Sequence, residues 1–154
     1  MKALVQRVSQ ASVSIENQEV AAIKQGLVVL IGVGRDDSEP DAQYLADKIA
    51  NLRIFSDESD KFNLSALDTG GEVLVVSQFT LLADTRKGRR PSFTEAAPPD
   101  QAEPFIEKFV QRLRAAGLKV ATGRFRENML VEIHNSGPVT IFIDSEERLK
   151  PRRG

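Results

Sequence analysis

The alternation of apolar and polar positions along the chain predicts a sheet of several strands. Residues 4–15 alternate, which predicts a strand or a bent hairpin that ends in a turn near 16–18. A short strand is predicted at 19–24. The run 27–31 is apolar at every position, so we expect it to be covered on both faces, at the centre of the sheet. Further strands are predicted at 73–76, 119–122, 128–135 and 139–144.

Two segments carry apolar residues at helical spacing. The first helix is predicted at 38–55, with Ser38 as its N-cap and Asp41 completing a capping box. The second is predicted at 100–116, and Gly117 stands where a glycine commonly ends a helix. The predicted buried stripes are Ala42, Leu45, Ala46, Ile49 and Leu52 in the first helix, and Ala102, Phe105, Phe109, Leu113 and Ala116 in the second.

The segments between these elements are polar. Residues 56–71 are rich in turn-forming residues and predict a surface loop, whereas 83–100 form a long loop that is basic first and proline-rich later. Structureless loops of that length inside compact domains are usually functional or mobile. The charged residues 146–154 predict a frayed tail. We therefore expect the α/β class: a single mixed domain over 1–145 with two main helices.

Composition narrows the chemistry more than size does. The chain has 154 residues, which fits one domain, and a net charge of −1, which argues against indiscriminate nucleic-acid binding. It has no cysteine and one histidine, which excludes disulfides, thiolate zinc sites, thiol nucleophiles and histidine-rich metal sites. We expect neither metal nor cofactor. No apolar run approaches the ~20 residues of a membrane helix and no signal peptide is visible, so we expect no membrane association and a cytoplasmic protein.

The single histidine, His134, is a poor candidate for a catalytic base. On the predicted strand 128–135 it shares a mixed face with Leu130 and Glu132, while the alternate apolar residues occupy the other face. We therefore expect an exposed or cross-strand histidine.

The first segment that could carry chemistry follows a buried strand and consists of Ser77, Gln78, Phe79 and Thr80. In a regular strand, successive side chains point to opposite faces, so these four could not converge on one ligand. Either the strand bends there, or backbone groups do part of the work. On composition alone, an ordinary edge strand with satisfied hydroxyls is the commoner interpretation.

The second segment, 135–140, reads Asn-Ser-Gly-Pro-Val-Thr and joins two predicted strands. A hairpin turn is the commoner interpretation of such a sequence. The unit Gly137-Pro138 is also rigid, and it could present a backbone carbonyl at a fixed place without an obstructing side chain.

The third segment has four cations within five residues: Arg86, Lys87, Arg89 and Arg90. With a glycine among them and Phe93 nearby, they resemble a flexible phosphate contact, although a solvated charged loop fits equally well. Because the rest of the protein is not basic, the phosphate contact gains weight. The second basic cluster, 150–153, is expected to be a solubilising tail.

Together these segments resemble the paired signature of the D-aminoacyl-tRNA deacylases, also called D-tyrosyl-tRNA deacylases. The resemblance is carried by 77–81 and 135–140, and 1–8 and 87–93 add to it. The two signatures stand at the family's separation, neither departs from the family pattern, and the match covers roughly 1–145.

This resemblance implies a barrel-like sheet and a homodimer with its sites at the subunit interface. The implied reaction is hydrolysis of the ester between a D-amino acid and the 3′-terminal adenosine of tRNA. Ser77, Gln78, Phe79 and Thr80 would line the pocket, and Gly137-Pro138 would be a cis unit that reaches into the partner's pocket. Arg7 would hold that unit. Further implied contacts are Val139 and Met129 to the substrate, and Arg86, Lys87, Arg89 and Arg90 to the tRNA.

Chemistry favours a site that depends on backbone groups and on its substrate. The ester is already activated, so positioning and an oxyanion hole matter more than a strong nucleophile. Thr80 would need an adjacent base, and the sequence offers none. We expect the substrate's own 2′-hydroxyl to assist water, and N–H groups near Phe79 and Thr80 to stabilise the oxyanion. A carbonyl at Gly137 would exclude L side chains. Glycine has no side chain to exclude, so glycyl-tRNA would also be cleaved.

Three alternatives stay open at this point. The first is a hydrolase in which Thr80 is the nucleophile. The second is a non-catalytic module that binds RNA ends through the 86–90 loop, and the third is a hydrolase of small esters or amides whose basic loop binds a small phosphate.

Overall fold

A barrel-like mixed sheet forms the centre of the protein. The computed structural model describes residues 1–153. The strands are β1 (Lys2–Ile15), β2 (Gln18–Ile23), β3 (Gly26–Gly32), β4 (Phe55–Ser56), β5 (Phe62–Leu64), β6 (Glu72–Ser77), β7 (Lys119–Thr122) and β8 (Leu130–Asp144). The helices are α1 (Glu39–Asn51), α2 (Ala66–Thr69) and α3 (Pro99–Ala115). The predicted class, a mixed α/β domain with two main helices, is confirmed.

The main sheet is ordered β2-β1-β3-β6-β7, and β8 also pairs with β1. The pairs β3–β6 and β6–β7 are parallel, whereas every pair that β1 makes is antiparallel. Because β2 also lies against β6 and β7, the sheet curls toward a barrel. The expected central position of 27–31 is confirmed, since β3 lies between β1 and β6 and is buried on both faces.

The predicted hairpin between 128–135 and 139–144 is wrong. Residues 130–144 form the one long strand β8, which runs antiparallel to β1 along most of its length. Asn135 pairs with Val8 and Thr140 with Gln6, so the residues between them leave the ladder as an irregularity within the strand. The glycine and proline that suggested a turn interrupt the strand instead of reversing it.

The two main helices cover one face of the sheet and differ from prediction at their ends. In α1 the capping box is confirmed, because the Ser38 N–H donates to Asp41 Oδ2 at 2.8 Å. This helix ends at Asn51 rather than 55, and the chain continues through the buried Ile54 into β4 at the buried Phe55. No helix among residues 1–153 is both long enough and apolar enough to cross a membrane.

Most of the predicted stripe residues are buried. The main core lies between the sheet and the helices α1 and α3, and a second cluster fills the inside of the curled sheet. Leu52 and Phe105 are half-buried, and the predicted burial of Ala116 is wrong because it is the exposed C-cap of α3. Gly117 follows it with φ 109°, as expected of a helix-ending glycine.

Residues 56–71 hold more structure than the predicted surface loop. They contain the end of the small β4–β5 pair and the one-turn helix α2. Asp57 organises the turn, because its carboxylate accepts from the Asn63 amide at 2.7 Å and from the backbone N–H groups of Ser59 and Lys61. These hydrogen bonds, that of Asn63 first, lower the pKa of Asp57.

The C-terminal segment is tied to α1 at its start. Residues 145–149 form a 3-10 turn, and the buried Ser145 hydroxyl donates to Asp41 Oδ1 at 2.8 Å. Arg148 Nε donates to the same oxygen at 3.2 Å. Burial alone would raise the pKa of Asp41, but bonds from Ser38, Ser145 and Arg148 lower it to about 2. The predicted fraying therefore does not hold for the first residues of 146–154, and Gly154 lies outside the described residues.

Candidate active site

A cleft of about 750 Å³ opens where β6 ends. The start of α3 forms one side of it, and the 123–129 segment between β7 and β8 forms another. The lining is mainly apolar, and it includes Gly32, Phe93, Ala102, Phe125 and Met129. A concave, largely apolar space with a few convergent polar groups is typical of a site for a small ligand or one end of a larger one.

The chain bends at the end of β6, which answers the question that the sequence left open. Gln78 has φ −144° and ψ 79°, and a 3-10 turn, Phe79–Leu82, begins directly after it. As a result, Ser77, Gln78 and Phe79 all line the cleft. Thr80 does not line it; its exposed hydroxyl accepts a hydrogen bond from Gln78 Nε2.

Two backbone N–H groups at this bend are free. The neighbouring N–H groups of Gln78 and Leu81 are bonded: they donate to Ile31 O at 2.7 Å and to Gln78 O at 3.2 Å, respectively. Within the described chain, no acceptor takes the N–H groups of Phe79 and Thr80. They begin a 3-10 turn, where the first N–H groups lack partners within the turn. Two adjacent free donors can stabilise a negative oxygen.

Gly32 allows this bend to approach the sheet, and the sequence analysis did not single it out as a site residue. A Cβ at position 32 would lie 2.8 Å from Gln78 O and 2.5 Å from Leu82 Cδ2. Only a glycine therefore lets the turn pack here. The sole signal in the sequence is that this glycine ends an apolar run, which does not show what approaches it.

Gly137 and Pro138 form an exposed projection from β8. Their peptide bond is cis, as the resemblance implies. Arg7 secures the projection, because its Nε donates to Ser136 O at 3.1 Å and its Nη1 to Ile54 O at 2.9 Å. Gly137 has φ 129°, and a Cβ there would lie 2.9 Å from Arg7 Nη2.

This projection does not line the cleft of its own chain. Arg7 borders a separate cavity of about 460 Å³, and Gly137, Pro138 and Val139 are absent from the lining of the larger cleft. Val139 is half-buried, and its N–H donates to Asn135 Oδ1 at 3.1 Å. The two signature segments are therefore not brought together within one subunit.

The basic loop is connected to the cleft through two aromatic rings. Asp84 and Ser92 pair in a short antiparallel bridge that closes the loop, and Phe93 packs edge-on against Phe79 with ring centroids 5.0 Å apart. Arg86 forms an ion pair with Asp84 at 2.7 Å. Hydrogen bonds from Arg86 lower the pKa of Asp84 to about 2, and the Asp84 carboxylate raises the pKa of Arg86.

The three other cations of the loop differ from Arg86. Lys87, Arg89 and Arg90 are exposed, and none makes an ion pair with a described residue. They are therefore available to an external anion, whereas Arg86 is held by its own loop.

Among the described hydrogen bonds, no side-chain base contacts the hydroxyl group of Ser77 or Thr80. His134 is exposed on β8, across from Gln10, as the sequence predicted. Among the described hydrogen bonds, Thr80 has no histidine or carboxylate partner. The arrangement can bind, position and polarise a carbonyl, and neither hydroxyl has the hydrogen-bonded base that an activated nucleophile requires.

Several lining residues were not identified from sequence, because their role depends on tertiary position. Ala102 was assigned to the buried stripe of the second helix. It is buried there, and it also lines the cleft. Phe125 and Arg126 lie on a connection that carried no motif. Of the predicted residues, Met129 lines the cleft with Ser77, Gln78 and Phe79.

Comparison with known sequences decides the family. A family model described as D-Tyr-tRNA(Tyr) deacylase matches residues 4–144. The chain belongs to the D-aminoacyl-tRNA deacylase family. A D-aminoacyl-tRNA deacylase of Thermotoga petrophila is 59% identical over 147 residues, which cover 96% of this chain and 99% of that protein. One from Heliobacterium modesticaldum is 60% identical over 144 residues, or 94% and 96% of the two chains. Members of the deacylase family are hydrolases of an ester bond.

Solved structures agree with the deacylase fold. A c-Myc DNA unwinding element binding protein aligns with a TM-score of 0.88 and 42% identity, over 94% of this chain and 98% of its own. A probable eukaryotic D-amino acid tRNA deacylase aligns with a TM-score of 0.81 over 93% and 98% of the two chains. Its identity of 16% makes that likeness one of fold alone.

Proposed function

We propose that this deacylase removes D-amino acids from tRNA by backbone catalysis in a cleft shared between two subunits. Water adds to the ester carbonyl carbon, the bond to the 3′ oxygen of the terminal adenosine breaks, and a proton passes to that oxygen. Free D-amino acid and intact tRNA leave. Such a reaction serves chiral proofreading in translation.

The observation that carries this proposal is the pair of free N–H groups at Phe79 and Thr80, beside an apolar cleft. Two preorganised donors are suited to the oxyanion that forms when water attacks an ester. The cleft is large enough for the terminal adenosine, and its apolar lining suits a nucleobase. Catalysis then needs no thiol, imidazole or metal.

The proton transfer is assigned to the substrate. Among the described residues, no base is hydrogen-bonded to Thr80, and His134 is exposed on another strand. The 2′-hydroxyl of the terminal ribose is adjacent to the 3′ ester, so it can orient the attacking water and relay its proton. RNA is in this respect part of the catalytic apparatus.

A homodimer would unite the two signatures. The Gly137-Pro138 projection lies outside the cleft of its own chain, and Arg7 holds it rigid. In the proposed dimer, the projection of one subunit enters the cleft of its partner. Exposed apolar side chains such as Phe142 on β8 support association of this face.

Chirality would then be selected by exclusion. A carbonyl held at Gly137 occupies the volume into which an L side chain would project, whereas a D side chain points away from it. Because the D side chain is not gripped, many D-amino acids should be accepted. Glycine has no side chain to exclude, so glycyl-tRNA should be cleaved too.

The proposed function is tested by deacylation of matched substrates. D-Tyr-tRNA and L-Tyr-tRNA of the same tRNA species are incubated with the protein, and released tyrosine is measured. We expect rapid release from the D ester only. Salt-sensitive binding without release would indicate an RNA-end-binding module, and equal hydrolysis of esters that lack the tRNA would indicate a small-ester hydrolase.

A further inference from the structure

Arg126 is the one cation among the described residues that line the cleft, and no role described above uses it. It lies on the 123–129 segment, and its side chain reaches Asp100 at the start of α3. Its φ is 66°, in the left-handed region that residues other than glycine and asparagine seldom adopt. The fold holds this arginine at the cleft in spite of an unfavourable backbone conformation.

The partner of Arg126 is easily replaced. Its Nη2 lies 2.7 Å from Asp100 Oδ1, and the side chains are 56% and 97% exposed. Exposed ion pairs of this kind contribute little to stability. A phosphate group can accept two parallel hydrogen bonds from one guanidinium, which makes it a stronger partner than an exposed carboxylate.

The chemistry of the proposed substrate indicates which anion would take this place. When a nucleoside occupies an apolar cleft, its charged 5′ phosphodiester stays at the rim, in contact with solvent. Glu127 is the other charged residue of the lining and would repel a phosphate. The attraction at the rim therefore depends on Arg126.

We infer that Arg126 binds the phosphodiester on the 5′ side of the terminal adenosine, and that Asp100 holds the arginine over the cleft until the phosphate replaces it. The inference rests on the proposed function, because it assumes that the adenosine end of tRNA occupies the cleft. It adds a phosphate subsite to that site.

Two minimal substrates distinguish the contact between Arg126 and the phosphodiester from the other contacts that the substrate makes in the cleft. The first, 3′-O-D-tyrosyl-adenosine, has no phosphate; the second, D-tyrosyl-cytidylyl-(3′→5′)-adenosine, has the one phosphodiester in question. For Arg126→Gln we expect KM for the dinucleotide to rise about tenfold, the size of one lost charge-assisted phosphate contact. KM for the adenosine ester should stay within about twofold of wild type.

The matched control is Arg124→Gln, an exposed cation on the same segment that does not line the cleft. It should leave KM for both substrates unchanged. With D-Tyr-tRNA, Arg126→Gln should flatten the plot of log KM against log salt by about 0.7, and Arg124→Gln should not. Equal effects of the two variants would overturn the inference, since they would reflect general electrostatics.

The variant Asp100→Asn tests whether a phosphate replaces Asp100 as the partner of Arg126. It should lower KM for the dinucleotide, because the carboxylate no longer competes for the arginine. A rise in KM for both substrates would mean that the ion pair merely orders the cleft, and the inference would be wrong. Unchanged kinetics of Arg126→Gln on both substrates would also refute it. If wild type cleaves neither D ester, the proposed function itself fails.

Discussion

At the scale of residues, the proposed mechanism depends on where backbone groups are free rather than on reactive side chains. Ser77, Gln78 and Phe79 reach the cleft because the strand ends at Ser77 and the chain turns. The same turn leaves two N–H groups without acceptors. Side chains near the bend then serve to hold the turn and to shape the cleft.

Thr80→Ala should retain turnover. The threonine hydroxyl already accepts from Gln78 Nε2 and has no base beside it, so we expect kcat for D-Tyr-tRNA within about threefold of wild type. Removal of a true nucleophile would lower kcat by roughly 10⁴-fold or more. Single-turnover deacylation measures the effect, with Thr85→Ala, an exposed threonine of the next loop, as the control. Loss of turnover with intact tRNA binding would make Thr80 the nucleophile.

Gly32→Ala should lower the rate of deacylation by displacing the turn that follows β6. The added methyl would meet Gln78 O at 2.8 Å, so the turn that carries the free N–H groups must shift. Displacement of catalytic groups by about 1 Å can cost on the order of 10²-fold in rate, and we expect kcat to fall by at least tenfold. Gly71→Ala, with its nearest atoms at 3.4 Å, is the control. Thermal unfolding must show both variants folded; unchanged kcat in folded Gly32→Ala would refute the proposed position of the oxyanion donors.

At the scale of elements, the loop 83–98 connects a basic tip to the cleft. Phe93 at its end contacts Phe79, whereas Lys87, Arg89 and Arg90 at its tip are exposed. We therefore expect the tip to contact the tRNA body, while Phe93 borders the cleft. Arg86 is paired with Asp84 and contributes less charge to such a contact.

Replacing Lys87, Arg89 and Arg90 together by alanine should weaken tRNA binding without harming the chemistry. We expect KM for D-Tyr-tRNA to rise about tenfold and its salt dependence to weaken, because phosphate contacts release counterions. Hydrolysis of D-tyrosyl-adenosine should not change. The control replaces Lys150, Arg152 and Arg153, which carry the same charge in the C-terminal tail. An equal rise in KM for that control would show that total charge, not the loop, binds tRNA.

Most elements could be predicted from local pattern, because burial of one face leaves a period of two or 3.6 residues in the sequence. The division of β8 into two strands failed for a physical reason. Gly137 and Pro138 favour a turn locally. They lie within the strand instead, because the pairing register shifts there against β1, which is distant in the chain. Likewise the end of α1 at Asn51 depends on tertiary packing, because Ile54 and Phe55 beyond it are buried in the core, Phe55 as the first residue of β4.

The candidate site could be predicted only in part. Its signature residues were found through family resemblance, but the bend at Gln78 and the close approach at Gly32 depend on packing between strands. Arg126 carries no local signal at all. The separation of Gly137 from the cleft of its own chain likewise appears only in three dimensions.

At the scale of the whole molecule, Asp41 joins the start of α1 to the C-terminal turn. Its carboxylate accepts from Ser38, Ser145 and Arg148, and it is 5% exposed. Its pKa is about 2 in the folded protein, against 3.8 for an ordinary aspartate. The stabilisation is therefore complete above pH 3.8 and is lost as the pH falls toward 2.

Asp41→Asn should lower the free energy of unfolding at pH 7 by about 2 kcal/mol, the equivalent of the lowered pKa. Its stability should also fall less steeply than that of wild type between pH 4 and 2. Urea unfolding across this pH range measures both effects. Asp47→Asn, an exposed position on the same helix, is the control. Parallel acid profiles for wild type and Asp41→Asn would contradict the assigned role.

The exclusion proposal is that the site acts on any 3′ ester whose amino acid has no L side chain. It is tested most directly by the deacylation rates of one tRNA species charged with D-alanine, glycine or L-alanine. Selection by exclusion predicts hydrolysis of the D-alanyl and glycyl esters and resistance of the L-alanyl ester. Complete inertness of glycyl-tRNA beside rapid cleavage of D-alanyl-tRNA would contradict it, since the site would then recognise the D side chain itself.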